Sequence, residues 1–234
     1  MFSTIGRTFA GLLIVGGTVL VLSNRATAAS AHSAALPNPV VDDALAPAKG
    51  EQTAVFAGGC FWGVQAVFEH VKGVKSAISG YAGGTVKAPS YEDVSSGTTG
   101  HAESVRVTYD PSQVTYGQLL RVFFSVAHDP TQLNRQGPDH GTQYRSAIFY
   151  TNASQKKIAA AYIAQLTKSK LFSSPIVTEV SPLNGFNTAE AYHQDYARLH
   201  PYEPYIMFND APKVKNLKSD LPELWVEKGV VATR

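Results

Sequence analysis

Residues 53–64, TAVFAGGCFWGV, join a short apolar run to a segment with helical periodicity. The run over residues 53–57 predicts a buried strand that ends at Gly58-Gly59. From residue 61 to residue 71, apolar side chains recur at spacings of three and four, which predicts a helix. Cys60 is the only cysteine among the 234 residues, and it stands at the junction. The lone thiol therefore marks a strand-to-helix turn.

The chain beyond this turn alternates apolar runs with polar, glycine-rich segments. Residues 104–110 alternate apolar and polar side chains, as a half-buried strand does. Thr115 precedes an apolar helical pattern and is expected to cap it. The other predicted elements are strands over 74–79, 145–150 and 175–180, a helix over 154–166, and polar loops over 81–100 and 128–144.

The first six elements follow the order strand, helix, strand, strand, helix, strand. This order predicts an α+β fold, the ferredoxin-like split βαβ two-layer sandwich, with an extra helix and strand and an irregular extension over residues 181–234. In that topology the third strand lies antiparallel between the first two, and the fourth pairs with the other side of the first. Cys60, Glu103, Tyr144 and both polar loops are then expected at one edge of the sheet.

Composition and charge narrow the class of protein. Hydrophobic residues are 44% of the chain and charged residues 16%, so it can bury a core and is not a disordered chain. The net charge is +2, and removing Arg7 and Arg25 leaves 18 basic side chains against 18 acidic ones. This balance argues against a nucleic-acid partner.

The N-terminal segment has the pattern of a secretory signal. Arg7 precedes an apolar run over residues 8–22, and Ala26-Thr27-Ala28 resembles a cleavage site. We therefore expect residues 1–28 to be a signal peptide, residues 29–50 a linker and residues 51–234 the functional domain of an exported, periplasmic protein. The alternative is a membrane anchor through residues 8–22.

The residue types around Cys60 suggest thiol chemistry. A helix N-terminus carries free N–H groups and a partial positive charge, so we expect a lowered pKa for the Cys60 thiol. Gly58 and Gly59 are expected to allow the sharp turn and access to the sulfur. Phe61 and Trp62 follow at once and offer an apolar pocket.

Polar groups predicted at the same edge complete a candidate site. Glu103, at the mouth of the third strand, is expected to have a pKa raised by burial and to donate a proton. Tyr91 and Tyr144 supply phenolic donors, and Asp139 lies beside them in the sequence. A sulfoxide fits this set, because it has an electrophilic sulfur, an oxygen to protonate and a small apolar arm.

Five motifs carry a resemblance to a known family. The chain between residues 53 and 205 is similar to the A-type peptide methionine sulfoxide reductases, in order and with plausible spacing. The motifs are Gly59-Cys60-Phe61-Trp62-Gly63, Gly80-Tyr81-Ala82-Gly83-Gly84, the segments 96–103 and 139–146, and Tyr192-His193-Gln194-Asp195-Tyr196.

The resemblance implies a role for each residue. Cys60 is the implied nucleophile on the sulfoxide sulfur, and Glu103 the implied acid for the oxygen. Tyr91, Tyr144 and Asp139 belong to the implied hydrogen-bonding network, and Phe61 and Trp62 to the implied methyl pocket. The implied reaction reduces methionine S-sulfoxide, peptide-bound or free, and leaves a sulfenic acid on Cys60. No metal or organic cofactor is implied, and we expect a monomer.

The number of cysteines differs from that in many family members, which carry further cysteines that resolve the sulfenic acid. Here residues 181–234 contain none. The resemblance therefore implies an external thiol as reductant: thioredoxin, a glutaredoxin or glutathione, a reductase of the export compartment, or dithiothreitol in vitro.

Three other functions stay open. A cysteine hydrolase or acyltransferase would pair Cys60 with His101, His140 or His193. A peptide-binding module would hold methionine at Cys60 without chemistry. A metal-binding module would draw its ligands from His101, His128, His140, His193, Asp129 and Asp139, although no closely spaced pair such as H-x-x-x-H is present.

Overall fold

A six-stranded sheet forms the centre of the computed structural model, which describes Met1 and residues 36–232. The strands are β1 (Gln52–Gly58), β2 (Val74–Ala82), β3 (Ala102–Tyr109), β4 (Arg135–Gln136), β5 (Asp139–His140), β6 (Ser146–Tyr150), β7 (Glu179–Pro182) and β8 (Phe186–Thr188). The helices are α1 (Phe61–Glu69), α2 (Tyr91–Ser95), α3 (Tyr116–Val122), α4 (Ala153–Ser169), α5 (Tyr196–Leu199) and α6 (Ala211–Asp220).

The strand order is β7-β6-β1-β3-β2-β8, and every neighbouring pair is antiparallel except β6 and β7. The four inner strands thus have the order that the split βαβ pattern predicts. The register pairs Gly58 with Ser146 and Tyr81 with Glu103, so the end of β1 and the starts of β3 and β6 lie at one edge. The mixed α+β prediction is confirmed, and β7 and β8 extend the sheet on both sides.

Strand β1 is buried on both faces. Phe56 points into the main core, where its ring stacks on Phe68 of α1 at 5.1 Å and on Phe123 at 5.0 Å. Val55 and Ala57 face a smaller cluster that includes Phe149 of β6. An apolar run without polar alternation is what burial of both faces requires.

The predicted cap at Thr115 is confirmed. Its side chain accepts from the Gln118 N–H, and the Gln118 side chain accepts from the Thr115 N–H, which closes a capping box before α3. Helix α3 then widens into a π-helical turn, Phe123–Ala127. Helix α4 begins after Asn152, which caps it, and extends further than predicted.

Several boundaries were predicted wrongly. The two polar loops contain helix α2 and the β4–β5 hairpin, and the last predicted strand lies at Glu179–Pro182. The extension predicted as irregular contains β8, α5 and α6. Proline content was the misleading signal, because Pro212 stands at the start of α6, where its fixed φ and missing N–H are tolerated.

Residues 36–50, part of the predicted linker, pack along the domain without forming a helix or strand. Arg121 Nε donates to the Leu36 carbonyl at 2.7 Å, and the Gly117 N–H donates to Asp42 Oδ1 at 2.8 Å. The predicted signal cleavage site and the apolar run 8–22 lie outside the described residues. In the described part of the chain, no helix combines the length and the apolar character needed to cross a membrane.

Candidate active site

Cys60 occupies the turn between β1 and α1, as the sequence predicts. Gly59 makes this turn with a φ of +88°, a conformation that favours glycine. A Cβ at residue 59 would also lie 2.5 Å from the side chain of Gln136 in β4. Gly58 still belongs to the strand. Cys60 is a free, buried thiol, and helix α1 starts at the next residue.

A cavity of about 180 Å³ opens at Cys60. Its wall comes from the strand edge, from the N-termini of α1 and α2, from the β4–β5 hairpin and from the turn before β6. The lining residues are Cys60, Phe61, Trp62, Tyr91, Glu103, Asp139, Tyr144 and Tyr205. The structure therefore brings together all seven residues predicted for the site and adds Tyr205.

Glu103 is almost fully buried at the start of β3, with 2% of its surface exposed. Its Oε2 accepts a hydrogen bond of 3.0 Å from the Phe61 N–H. Burial raises the pKa of Glu103 to about 8, and the charges of Asp139 and Asp210 add to the rise, while the Phe61 N–H opposes it. The carboxyl is therefore protonated near neutrality and able to donate.

The Cys60 thiol has a raised pKa, so the predicted lowering is wrong. Burial is the largest cause, followed by the negative charges of Glu103 and Asp210. The Trp62 N–H at the helix N-terminus and Lys213 lower the pKa, as expected of their charges, but they are outweighed. The helix end does act on the sulfur, and desolvation acts more strongly.

Three phenols face the sulfur and the carboxyl. Burial is the largest cause of the raised pKa values of Tyr91, Tyr144 and Tyr205, so all three hydroxyls are protonated donors. Tyr205 Oη donates to Asp139 Oδ2. Asp139 therefore orients the Tyr205 phenol and engages its hydrogen-bond donor.

Sequence reasoning missed Tyr205 because it falls in the extension predicted as irregular. The residue directly precedes the π-helical turn Ile206–Asp210 and reaches the cavity through the packing of that turn on α1. Tyr205 closes the segment that resembles the family, and this position was the available signal.

Trp62 contacts two other aromatic rings at the cavity. Its ring stacks on Tyr196 at 3.8 Å and meets the Tyr205 ring edge-on at 5.9 Å. Its Nε1 donates to His193 Nδ1 at 3.2 Å. Phe61 is fully buried beside it, and both residues border the cavity even though they are adjacent in the helix.

Two histidines of the hydrolase hypothesis bond to groups other than Cys60, and the third is exposed. His193 contacts Trp62 through Nδ1, and His101 bonds to the Gly84 N–H and the Val86 carbonyl. His140 is exposed on the hairpin. Within residues 36–232, no histidine hydrogen bonds to Cys60, and no group of three or more His, Cys, Asp and Glu side chains is arranged to hold a metal ion.

The fold and the cavity together define a class, an α+β protein with a buried thiol at a strand-to-helix turn and a buried carboxyl in the same cavity. Comparison with known proteins then gives the family. The sequence profile of peptide methionine sulfoxide reductase matches residues 52–224. The chain belongs to the peptide methionine sulfoxide reductase family and is an oxidoreductase.

Individual relatives support the same assignment. A peptide methionine sulfoxide reductase MsrA 2 of Mesorhizobium japonicum is 61% identical over 191 residues, which are 82% of this chain and 97% of that protein. An MsrA 2 of Synechocystis is 50% identical over 89% of this chain and 94% of its own length.

A solved structure agrees with both. Methionine sulfoxide reductase A of Corynebacterium diphtheriae superposes with a TM-score of 0.59 at 37% identity, over 74% of this chain and 88% of its own.

Proposed function

We propose that this reductase acts on methionine S-sulfoxide, with Cys60 as the nucleophile and Glu103 as the general acid. One observation carries the proposal. A buried thiol, a protonated carboxyl and three protonated phenols line one small cavity with an aromatic wall. A sulfoxide presents a sulfur to the first group, an oxygen to the next two and a methyl to the wall.

The reaction transfers one oxygen atom and two electrons. The Cys60 sulfur attacks the sulfoxide sulfur, while Glu103 protonates the oxygen. The S–S bond formed in this attack and the S–O bond of the substrate both break as an S–O bond to Cys60 forms, and the thiol proton returns to Glu103. The products are methionine and a sulfenic acid on Cys60. The protons balance, because Glu103 gives one proton to the oxygen and takes one back from the thiol.

The phenols and the aromatic wall select the substrate. Tyr91 and Tyr144 hold the oxygen, and the Asp139–Tyr205 pair supports the same side of the cavity. Phe61 and Trp62 enclose the methyl group. The cavity is small, so the peptide stays outside and only the sulfoxide end enters, which suits both peptide-bound and free methionine sulfoxide.

An external thiol completes the cycle. The chain has one cysteine, so no second thiol of its own can attack the sulfenic acid. One external thiol forms a mixed disulfide with Cys60 and releases water, and a second thiol restores Cys60. Thioredoxin, a glutaredoxin and glutathione all provide this chemistry, and no metal or organic cofactor takes part.

We further propose that residues 1–28 export the protein to the periplasm and that residues 51–234 act as a monomer. The charge pattern of residues 1–28 supports export. Sequencing the N-terminus of the mature protein tests the cleavage. An intact N-terminus in the membrane fraction would favour the anchor over residues 8–22.

Epimer-resolved turnover tests the function directly. The full-length chain is incubated with peptides that carry either methionine S-sulfoxide or R-sulfoxide, with excess dithiothreitol, and methionine is followed by chromatography. We expect reduction of the S-epimer alone and none by Cys60→Ser. Reduction of the R-epimer, or equal turnover by Cys60→Ser, would refute the proposal.

A further inference from the structure

A buried ion pair next to the site has no role in the reaction described so far. Asp210 is fully buried, and Lys213 is largely buried in the first turn of α6. Lys213 Nζ donates to Asp210 Oδ1 at 3.0 Å, and Asp210 Oδ2 has no hydrogen-bond partner among residues 36–232. Burying such charges usually costs more than their attraction returns, so stability alone does not explain the pair.

The pair packs against the first turn of α1, the helix that begins directly after Cys60. A Cβ at Gly63 would overlap Asp210 Oδ1 and stand 2.7 Å from Lys213 Nζ. The missing side chain at residue 63 therefore lets both charges approach the backbone of α1. Neither Asp210 nor Lys213 lines the reaction cavity, and Asp210 instead borders a separate apolar cavity of about 420 Å³.

Both charges nevertheless reach the sulfur. Asp210 raises the pKa of the Cys60 thiol, and Lys213 lowers it. Other titratable groups face the same region. They are Glu103, Tyr91, Tyr144, Tyr196 and Tyr205 around Cys60, Asp139 near Asp210, and His128 near Lys213.

We propose that Asp210 and Lys213 are positioning residues, which adjust the charge on Cys60 from outside the reaction cavity. The Lys213 ammonium stabilises negative charge that develops on the sulfur during attack. Asp210 holds the ammonium against the Gly63 turn and limits its effect. This inference rests on the proposed role of Cys60 as the nucleophile.

The pH dependence of Cys60 alkylation tests it without turnover. Iodoacetamide reacts with the only cysteine of the full-length chain, and the midpoint of the rate against pH reports its ionisation. We expect Lys213→Met to raise the midpoint by about one pH unit and Asp210→Asn to lower it by a similar amount. Lys213→Arg should restore the wild-type midpoint.

Lys215→Met is the matched control, because it removes an exposed neighbouring charge on the same helix, α6. Its midpoint should equal that of the wild type. Opposite shifts in the two single variants are the signature of charge, whereas shifts of the same sign, or none, would overturn the proposal. Circular dichroism checks each fold.

Asp210→Asn keeps the size of the side chain, so a midpoint that does not fall in this variant overturns the proposal even if Lys213→Met does not fold. Alkylation and sulfoxide reduction, measured on the same variants, distinguish the ion-pair role from the proposed function. Unchanged midpoints with normal sulfoxide reduction refute only the ion-pair role. Opposite shifts without any sulfoxide reduction refute only the proposed function.

Discussion

Burial sets the protonation state of Cys60 and Glu103, the two groups proposed to react. The same desolvation that raises the pKa of Glu103 to about 8 also raises that of Cys60, so both groups carry their protons near neutrality. For the acid this state is the reactive one. For the thiol it is not, and the sulfur becomes nucleophilic only as its proton leaves during attack.

Glu103→Gln separates proton donation from binding. We expect the reductive step to slow by about 10²–10⁴-fold, because a positioned acid contributes that much, with little change in substrate affinity. A Gln of equal size keeps the hydrogen bond acceptor for the Phe61 N–H. Single-turnover kinetics with the S-sulfoxide measure the step, and a wild-type rate at pH 5–8 would contradict the acid role.

The pH dependence of the reduction rate also tests the role of Glu103 as the acid. The protonated form of Glu103 is active, so its contribution is present below about pH 8 and lost as the pH rises through that value. Wild type should lose this contribution on the alkaline side. The Glu103→Gln variant should lack that fall, whatever its absolute rate.

The strand-to-helix turn places these groups, and the β4–β5 hairpin holds the turn from outside. Gly59 combines a positive φ with close contact to Gln136 of β4, while Asp139 of β5 lines the cavity. A side chain at residue 59 would therefore disturb both the Cys60 backbone and the hairpin that carries Asp139.

Gly59→Ala should destabilise the fold and lower kcat/KM by at least about tenfold, which corresponds to about 1.4 kcal/mol. Gly137→Ala is the matched control. Gly137 has a φ of +56° and no atom within 4 Å of an added Cβ. Gly137→Ala should lower the free energy of unfolding only by the backbone strain, about 1 kcal/mol. Equal loss of activity in both variants would contradict the contact argument.

The chain as a whole carries a single thiol, which limits what it can do alone. Without a reductant, we expect one methionine per chain and a Cys60 that holds one added oxygen atom. Mass spectrometry after trapping with dimedone measures the product. More than one methionine per chain, in the absence of any thiol, would refute the external-reductant proposal.

Stability should depend on pH through a second buried acid. Glu69 lies at the end of α1 with 3% of its surface exposed, and burial followed by Asp195 raises its pKa to about 8. The folded state therefore holds a proton that the unfolded state has lost above about pH 4.5. Stability contributed by this group is full below that value and is lost as the pH rises through about 8.

Thermal unfolding of wild type and Glu69→Gln at several pH values measures this effect. The wild-type Tm should fall between pH 5 and pH 8, by about 2–4 °C for each kcal/mol of unfolding free energy lost. The Tm of Glu69→Gln should fall less. Glu92→Gln is the control, because Glu92 is exposed on α2. An equal fall in all three proteins would exclude Glu69 as the cause.

Much of the fold and the site could be predicted from local patterns. The spacing of apolar residues over 61–71 identified α1, and the order of elements predicted which strand edge holds Cys60, Glu103 and Tyr144. Helix α6 was missed because few of its side chains are apolar, and Leu217 is its only buried residue. Tyr205 was missed because tertiary packing, rather than a strand or turn signal, brings it to the cavity.

The amino-acid order by itself determined the strand-to-helix turn and the single cysteine, on which the proposed nucleophile and the proposed external reductant both rest. These properties depend on periodicity and on a count of cysteines, which are present in the sequence. Only the tertiary structure decided the ionisation of Cys60. Its pKa depends on burial and on charges from distant segments, Glu103, Asp210 and Lys213, and electrostatic effects in a desolvated interior depend on distance in space.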